Sequence, residues 1–209
     1  MKSSKWLGVI ALTGFLAGCN PLALVQPQVL DQNPMGLDQA AIASDALKIL
    51  AVGADLNFVA PAFQDIDKNS LPLGGSAGAD TIVASIKIKK VQVTDCLTPP
   101  NTFNVQLKGV KVMVRNASAQ TGPTALQNPD PVTGAASGKT AFLGGFEYTL
   151  DSTKEISFTF GRDLYDTVTS GGDNIASIEG LVEADQNTLA GCRLVAIVDD
   201  HTVTLSNFR

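Results

Sequence analysis

Residues 81–90 read TIVASIKIKK, and this stretch indicates the fold class of the chain. The even positions 82, 84, 86 and 88 are apolar, whereas the odd positions 85, 87 and 89 carry serine or lysine. A period of two places alternate side chains on opposite faces of a β-strand, so the stretch predicts a strand with one buried face. After Lys89 and Lys90 the apolar positions move to Val91 and Val93, which predicts a bulge or bend at the two lysines.

The same alternation continues along the chain. Residues 103–107 and 110–114 alternate on either side of Gly109, where a second bulge is expected. Because a proline-containing turn separates residues 81–93 from residues 103–114, these two stretches are expected to pair as a bent antiparallel hairpin. The polar stretch 116–139 predicts a long loop. Further strand signals lie at 146–150, 156–160, 176–184, 192–198 and 202–208, with Asp199 and Asp200 as a turn between the last two.

This pattern predicts a mainly β domain. About seven or eight strands with polar connections favour an antiparallel β-sandwich, with a sheet closed on itself as the alternative. Residues 37–52 are rich in alanine and leucine and predict a short N-terminal helix, although residues 49–52 fit a strand equally well.

The N-terminus has the pattern of an export signal. Lys2 and Lys5 precede an apolar run over residues 6–16, which is too short to cross a hydrocarbon core of about 30 Å as a helix. The run ends in Leu16-Ala17-Gly18-Cys19, which resembles the lipobox of bacterial lipoproteins. The alternative is an ordinary cleaved signal with a chance cysteine.

The lipoprotein resemblance implies three segments. Residues 1–18 would be the signal peptide, residues 19–36 the lipidated Cys19 with a flexible, proline-containing tether, and residues 37–209 a single mainly β domain. The acyl chains would anchor the protein to a membrane of the cell envelope. Asn20 is not the aspartate that retains some lipoproteins in the inner membrane, so the outer membrane is favoured.

Cys96 and Cys192 are the other cysteines in the sequence. Because an exported chain meets an oxidising compartment, we expect them to form a disulfide. Two separately buried thiols are the alternative.

Composition argues against several classes of function. The 209 residues include 15 basic and 20 acidic side chains, a net charge of −5, and removal of Lys2 and Lys5 would change it to −7. An acidic chain is repelled by a phosphate backbone, so no nucleic-acid partner is expected. A single histidine removes most metal sites, and no cofactor is expected.

Two residues are candidates for catalysis. Ser76 lies in Gly74-Gly75-Ser76-Ala77-Gly78, which matches the G-x-S-x-G pattern of a hydrolase nucleophile, but no strand precedes it and no helix follows it. His201 could share a strand face with Asp199 as an acid–base or metal-binding pair. The alternatives are a flexible glycine loop and an exposed polar histidine.

Two further patterns are candidates for binding. Asp65, Asp67 and Asn69 match the first ligand positions of a calcium-binding loop. The later ligands of such a loop are missing, and an Asx-rich turn explains these three residues equally well. If the two long strands pair, five lysines would form a basic stripe that could bind anionic headgroups or glycans: Lys87, Lys89, Lys90, Lys108 and Lys111. The alternative is a solvated sheet face.

The sequence as a whole predicts a lipid-anchored cell-envelope protein. A non-enzymatic structural or binding module with an envelope protein or glycan as its partner is the first expectation. An envelope hydrolase that uses Ser76 or His201, and a carrier of an apolar ligand, are the alternatives.

Overall fold

The computed structural model describes residues 25–30, 37, 39–47, 53–71, 77–151 and 155–209. Within these ranges the chain forms twelve β-strands, one α-helix and two single 3-10 turns. The strands are β1 Gln28–Leu30, β2 Ala41–Ala46, β3 Gly53–Val59, β4 Phe63–Gln64, β5 Ala79–Thr94, β6 Phe103–Asn116, β7 Thr124–Asn128, β8 Val132–Phe142, β9 Gly145–Leu150, β10 Glu155–Phe160, β11 Asp173–Ala184 and β12 Arg193–Phe208. Helix α1, Arg162–Val168, connects β10 to β11.

The predicted antiparallel, sandwich-like architecture is confirmed, with more strands than expected. Strands β5 and β12 pair along their length in one layer, and β6 and β11 pair in the other. Along one edge, β10 pairs with β7 and β9 pairs with β8, so both pairs join the two layers. Along the other edge, β2 pairs with β12 of the first layer and β3 pairs with β11 of the second. Strands β2 and β3 also pair with each other, which joins the layers there. The apolar side chains between the layers form one core cluster.

Both predicted bulges are present. In β5 the even positions 82–88 are buried, and Val91 and Val93 continue the buried face after the exposed Lys89 and Lys90. The pairing of β5 with β12 shifts register at this point. In β6 the shift lies at Gly109, whose φ of 56° belongs to the left-handed region that glycine tolerates. Local alternation therefore located the bends correctly.

A buried amide supports the Gly109 bulge. The Gln127 side chain, on β7, accepts a hydrogen bond from Val110 N at 2.9 Å and donates to Leu107 O at 3.1 Å. It also donates to Asp130 Oδ1, which accepts from Gly109 N. Gln127 is 5% exposed, so these bonds replace water at main-chain groups that the bulge leaves without sheet partners.

The expected hairpin between the two long strands is wrong. Strand β5 pairs with β12, β10 and β9, whereas β6 pairs with β11, β7 and β8. The two strands lie in different layers, and residues 95–102 cross from one layer to the other. A short connection favours pairing of neighbouring strands, but here each long strand pairs with strands from elsewhere in the chain.

The expected N-terminal helix is also wrong where the structure describes it. Residues 41–46 form β2, in which Ile42 and Ser44 are buried and the intervening side chains are exposed. Ser44 Oγ accepts a hydrogen bond from Leu194 N, and β2 pairs with β12. Helix propensity is a weak preference that pairing with a neighbouring strand overrides. Residues 48–52 lie outside the described residues.

Much of the expected loop at 116–139 is sheet. Residues 124–128 form β7, and β8 begins at Val132. Strand β8 is rich in glycine, alanine, serine and threonine, which gives it the composition of a loop, yet β6 and β9 supply its main-chain hydrogen-bond partners. Ala136 of this strand is completely buried.

The predicted disulfide is confirmed. Cys96 and Cys192 are bonded, with their Cα atoms 5.0 Å apart, and they are separated by 96 positions in the sequence. The bond connects the segment after β5 to the residue before β12. It therefore reinforces the end of the sandwich at which Thr94 and Arg193 are paired.

Helix α1 was not foreseen, since seven residues give little periodicity. It buries Leu164, Tyr165 and Val168. Near it lies an apolar cavity of about 20 Å³, roughly the space for one water, between α1, β5, β12 and the segment around β4. Among the described residues, no helix is long and apolar enough to cross a membrane.

The sheet begins inside the segment predicted as a tether. Residues 28–30 form β1, which pairs with residues 203–205 of β12. Strand β1 thus enters the fold near the end that carries α1, away from the disulfide. Residues 1–24, which include Cys19 and the lipobox, lie outside the described residues.

Candidate functional site

A polar groove lies on the outer face of the layer formed by β5, β9 and β12. Its volume is about 350 Å³. Six of the described residues line it, and five of these have polar side chains: Gln39, Lys90, Gln92, Glu147, Ile197 and Asp199. We call this feature the polar groove.

Strand register brings the central groove residues together. Gln92 of β5 lies directly opposite Glu147 of β9, and Lys90 lies opposite Ile197 of β12. Gln39 reaches the same face because its main-chain N–H donates to Val198 O at 3.0 Å. Four separate segments of the chain therefore contribute to one surface.

Glu147 is the electrostatic centre of the groove. Lys90 Nζ lies 2.9 Å from Glu147 Oε1, and Gln92 Nε2 donates to Oε2 at 3.1 Å. These hydrogen bonds, that of Lys90 first, hold the pKa of Glu147 below its usual value because they stabilise the carboxylate. The carboxylate is thus ionised and fixed in position at neutral pH.

A second ion pair lies beside the groove, at the bulge between β5 and β12. Lys89 donates to Asp199, and this hydrogen bond, followed by the attraction of the carboxylate charge, raises the pKa of Lys89. Because Lys89 is exposed, the pair adds little to stability. Its effect is to orient Asp199 along the edge of the groove.

The groove can form hydrogen bonds with a polar ligand. The bond of Lys90 to Glu147 uses one of three ammonium hydrogens, and the bond of Gln92 to Glu147 uses one of two amide hydrogens, so each side chain keeps donors for a ligand. Ile197 adds an apolar surface among these groups. The groove therefore offers donors, acceptors and a small apolar area to a ligand.

The structure separates His201 from Asp199. The bulge at residues 198–200 changes the phase of β12, so His201 is buried at 7% exposure while Asp199 lies on the outer face. His201 occupies the row of Val203 and Leu205, opposite Ile86. The predicted pair on one strand face is therefore wrong, and Ser76, the other catalytic candidate, lies outside the described residues.

The predicted cation loop is used internally instead. Asp67 caps the 3-10 turn at residues 68–70 by accepting from Asn69 N at 2.9 Å. Asp65 points elsewhere, where it accepts from Gly171 N and from Asn174 Nδ2. Across the described ranges, no group of three His, Cys, Asp or Glu side chains is placed to hold a metal ion.

The predicted basic stripe is not assembled, because β5 and β6 lie in different layers. Four of its lysines instead form ion pairs with carboxylates: Lys87 with Asp200, Lys89 with Asp199, Lys90 with Glu147 and Lys108 with Glu183. The lysines thus belong to mixed-charge surfaces. Lys90 still contributes to the polar groove, together with Glu147 and Gln92, which belong to no sequence motif.

No protein-family model matches the chain, and no curated protein matches it. Among solved structures, a chain in the structure of infectious bursal disease virus Gx strain is 10% identical, with a TM-score of 0.18. The match covers 88% of this chain and 40% of that one. A likeness at this score supports no argument about fold or function.

Proposed function

We propose that this protein is a non-enzymatic binding module of the bacterial cell envelope, anchored to a membrane by lipid on Cys19. The lipobox-like Leu16-Ala17-Gly18-Cys19 supports the anchor. The observation that carries the envelope location is the Cys96–Cys192 disulfide, because disulfides persist in oxidising compartments outside the cytosol. The outer membrane is the favoured site because Asn20 follows the lipidated cysteine.

The ligand we propose for the polar groove is an envelope glycan. Its sugar hydroxyls would hydrogen-bond to Gln92, Glu147 and Lys90, and a C–H face of a sugar ring would pack on Ile197. The ion pair and amide contact at Glu147 support this assignment, since they hold the carboxylate in place before a ligand arrives.

Replacing Cys19 by serine tests the anchor. A serine cannot form the thioether to diacylglycerol, so the variant is expected to leave the membrane fraction, whereas the wild-type protein remains there. Cell fractionation followed by mass spectrometry of the N-terminal peptide measures both location and acylation. Unchanged fractionation, together with an N-terminal peptide that carries no acyl mass in the wild type, would contradict the lipoprotein assignment.

Co-sedimentation with purified peptidoglycan sacculi tests the groove. The wild-type protein is expected to sediment with sacculi, and Gln92→Ala is expected to weaken binding about fivefold, because one amide hydrogen bond to a ligand contributes on the order of 1 kcal/mol. Asn57→Ala is the matched control, since it removes an exposed amide from β3, outside the groove. Equal sedimentation of the two variants, or none by the wild type, would contradict a glycan-binding groove.

A further inference from the structure

Two connections at the disulfide end of the sandwich expose large apolar side chains. Leu97 is 98% exposed and Leu143 is 101% exposed, and Phe142 beside it is 38% exposed. We call these three residues the apolar tip. Single exposed leucines are ordinary on protein surfaces, but a group of them at one end indicates a contact surface.

The two connections are held together. Gly145, at the base of the β8–β9 turn, lies opposite Thr94, three residues before Leu97. Lys139 of β8 donates to Pro99 O, and the Tyr148 hydroxyl donates to Pro100 O at 2.7 Å. Residues 95–102 are thereby fixed against the β8–β9 hairpin, so the tip is one feature of the fold.

The size of the tip favours a lipid bilayer over a protein as its partner. Three side chains fall far below the roughly 800 Å² that each partner buries in a standard protein interface. A bilayer requires no matching shape, and apolar side chains can enter the boundary between headgroups and acyl chains.

The proposed anchor makes a bilayer available to the tip. Gln28 pairs with Leu205, and Arg193 pairs with Thr94 near the tip, so about 40 Å of β12 separates the start of the sheet from the tip. The chain from Cys19 to Gln28 spans at most about 30 Å. The tip therefore reaches the anchoring bilayer when the long axis of the domain inclines towards it, and the tether keeps its effective concentration high.

We infer that the apolar tip inserts into the bilayer that holds the lipid anchor, so that the domain is attached at two points and lies inclined on the membrane. Leu97, Phe142 and Leu143 form the second attachment. This inference rests on the lipid anchor of the proposed function and is independent of the polar groove.

Tryptophan fluorescence tests the insertion in the mature, lipidated protein. Trp6, the only tryptophan of the sequence, lies in the proposed signal peptide, so Leu143→Trp places a single indole at the tip of the mature chain. Leu126, 67% exposed on β7, gives the matched control as Leu126→Trp. Each lipidated variant is reconstituted into phosphatidylethanolamine and phosphatidylglycerol vesicles, with or without brominated acyl chains, and vesicle flotation records anchoring.

We expect brominated acyl chains to quench most of the fluorescence of the tryptophan at position 143, with little change in its emission wavelength. The tryptophan at position 126 is expected to remain unquenched. Vesicle-bound protein whose position 143 is unquenched, or quenched no more than position 126, overturns the tip insertion alone. Protein that does not float overturns both the anchor and the insertion. Emission at position 143 that shifts with protein concentration in detergent indicates a second copy as the occupant and also overturns the proposal.

Discussion

Replacing both Cys96 and Cys192 by alanine is expected to lower the free energy of unfolding by about 4–5 kcal/mol. The disulfide closes a loop of 96 positions, and in the chain-entropy model a loop of this length gives a stabilisation of that size by restricting the unfolded chain. Because domains are commonly stable by only about 5–15 kcal/mol, the change would be a large part of the total. Denaturant unfolding followed by far-UV circular dichroism measures it.

Reduction provides the control for this pair. Dithiothreitol should destabilise the wild-type protein by a similar amount and leave the double alanine variant unaffected. An unfolding midpoint of the variant equal to that of the oxidised wild type would show that the crosslink contributes nothing to stability.

The second large effect is expected at Gln127. Gln127→Ala leaves Val110 N–H and Leu107 C=O without the side-chain partner that satisfies them beside the Gly109 bulge. A buried main-chain group without a hydrogen bond costs about 1–3 kcal/mol, so the variant is expected to lose about 2–3 kcal/mol of unfolding free energy. Thermal and denaturant unfolding measure the loss.

Gln106→Ala is the matched control for Gln127. The Gln106 amide donates to Thr133 Oγ1 at 3.2 Å in an exposed position, where water replaces the lost bond, and a change of less than about 0.5 kcal/mol is expected. If the two variants lose equal stability, the buried amide has no special part in supporting the bulge.

Features that depend on neighbouring residues could be predicted from the sequence. The apolar alternation of β5 and β6 and their bulges at Lys89 and Gly109 are local patterns, and the structure confirms them. The pairing of Cys96 with Cys192 was expected from the predicted export signal and the number of cysteines, and the structure confirms it. Each of these inferences used the chemistry of a single segment or of the compartment.

Features that depend on distant segments could not be predicted in the same way. Asp199 and Asp200 have the composition of a turn, yet β12 continues through them with a bulge, and that bulge directs His201 into the core. The small residues of β8 form a strand only because β6 and β9 flank them.

The polar groove illustrates the same limit. Gln92 and Glu147 are 55 positions apart and become neighbours only through the pairing of β5 with β9. Neither residue belongs to a sequence motif, so local patterns gave no signal for a shared surface.

The joining of the two layers along both edges has a consequence for the proposed anchoring of many copies on one membrane. Among the described strands, only the short β1 and β4 pair with a single neighbouring strand, and they contribute three and two residues. A long unpaired strand edge is a template on which another chain can add a strand. Copies concentrated on one lipid surface would collide often. Because the sheet has only short unpaired edges among the described strands, such collisions would rarely lead to an intermolecular sheet.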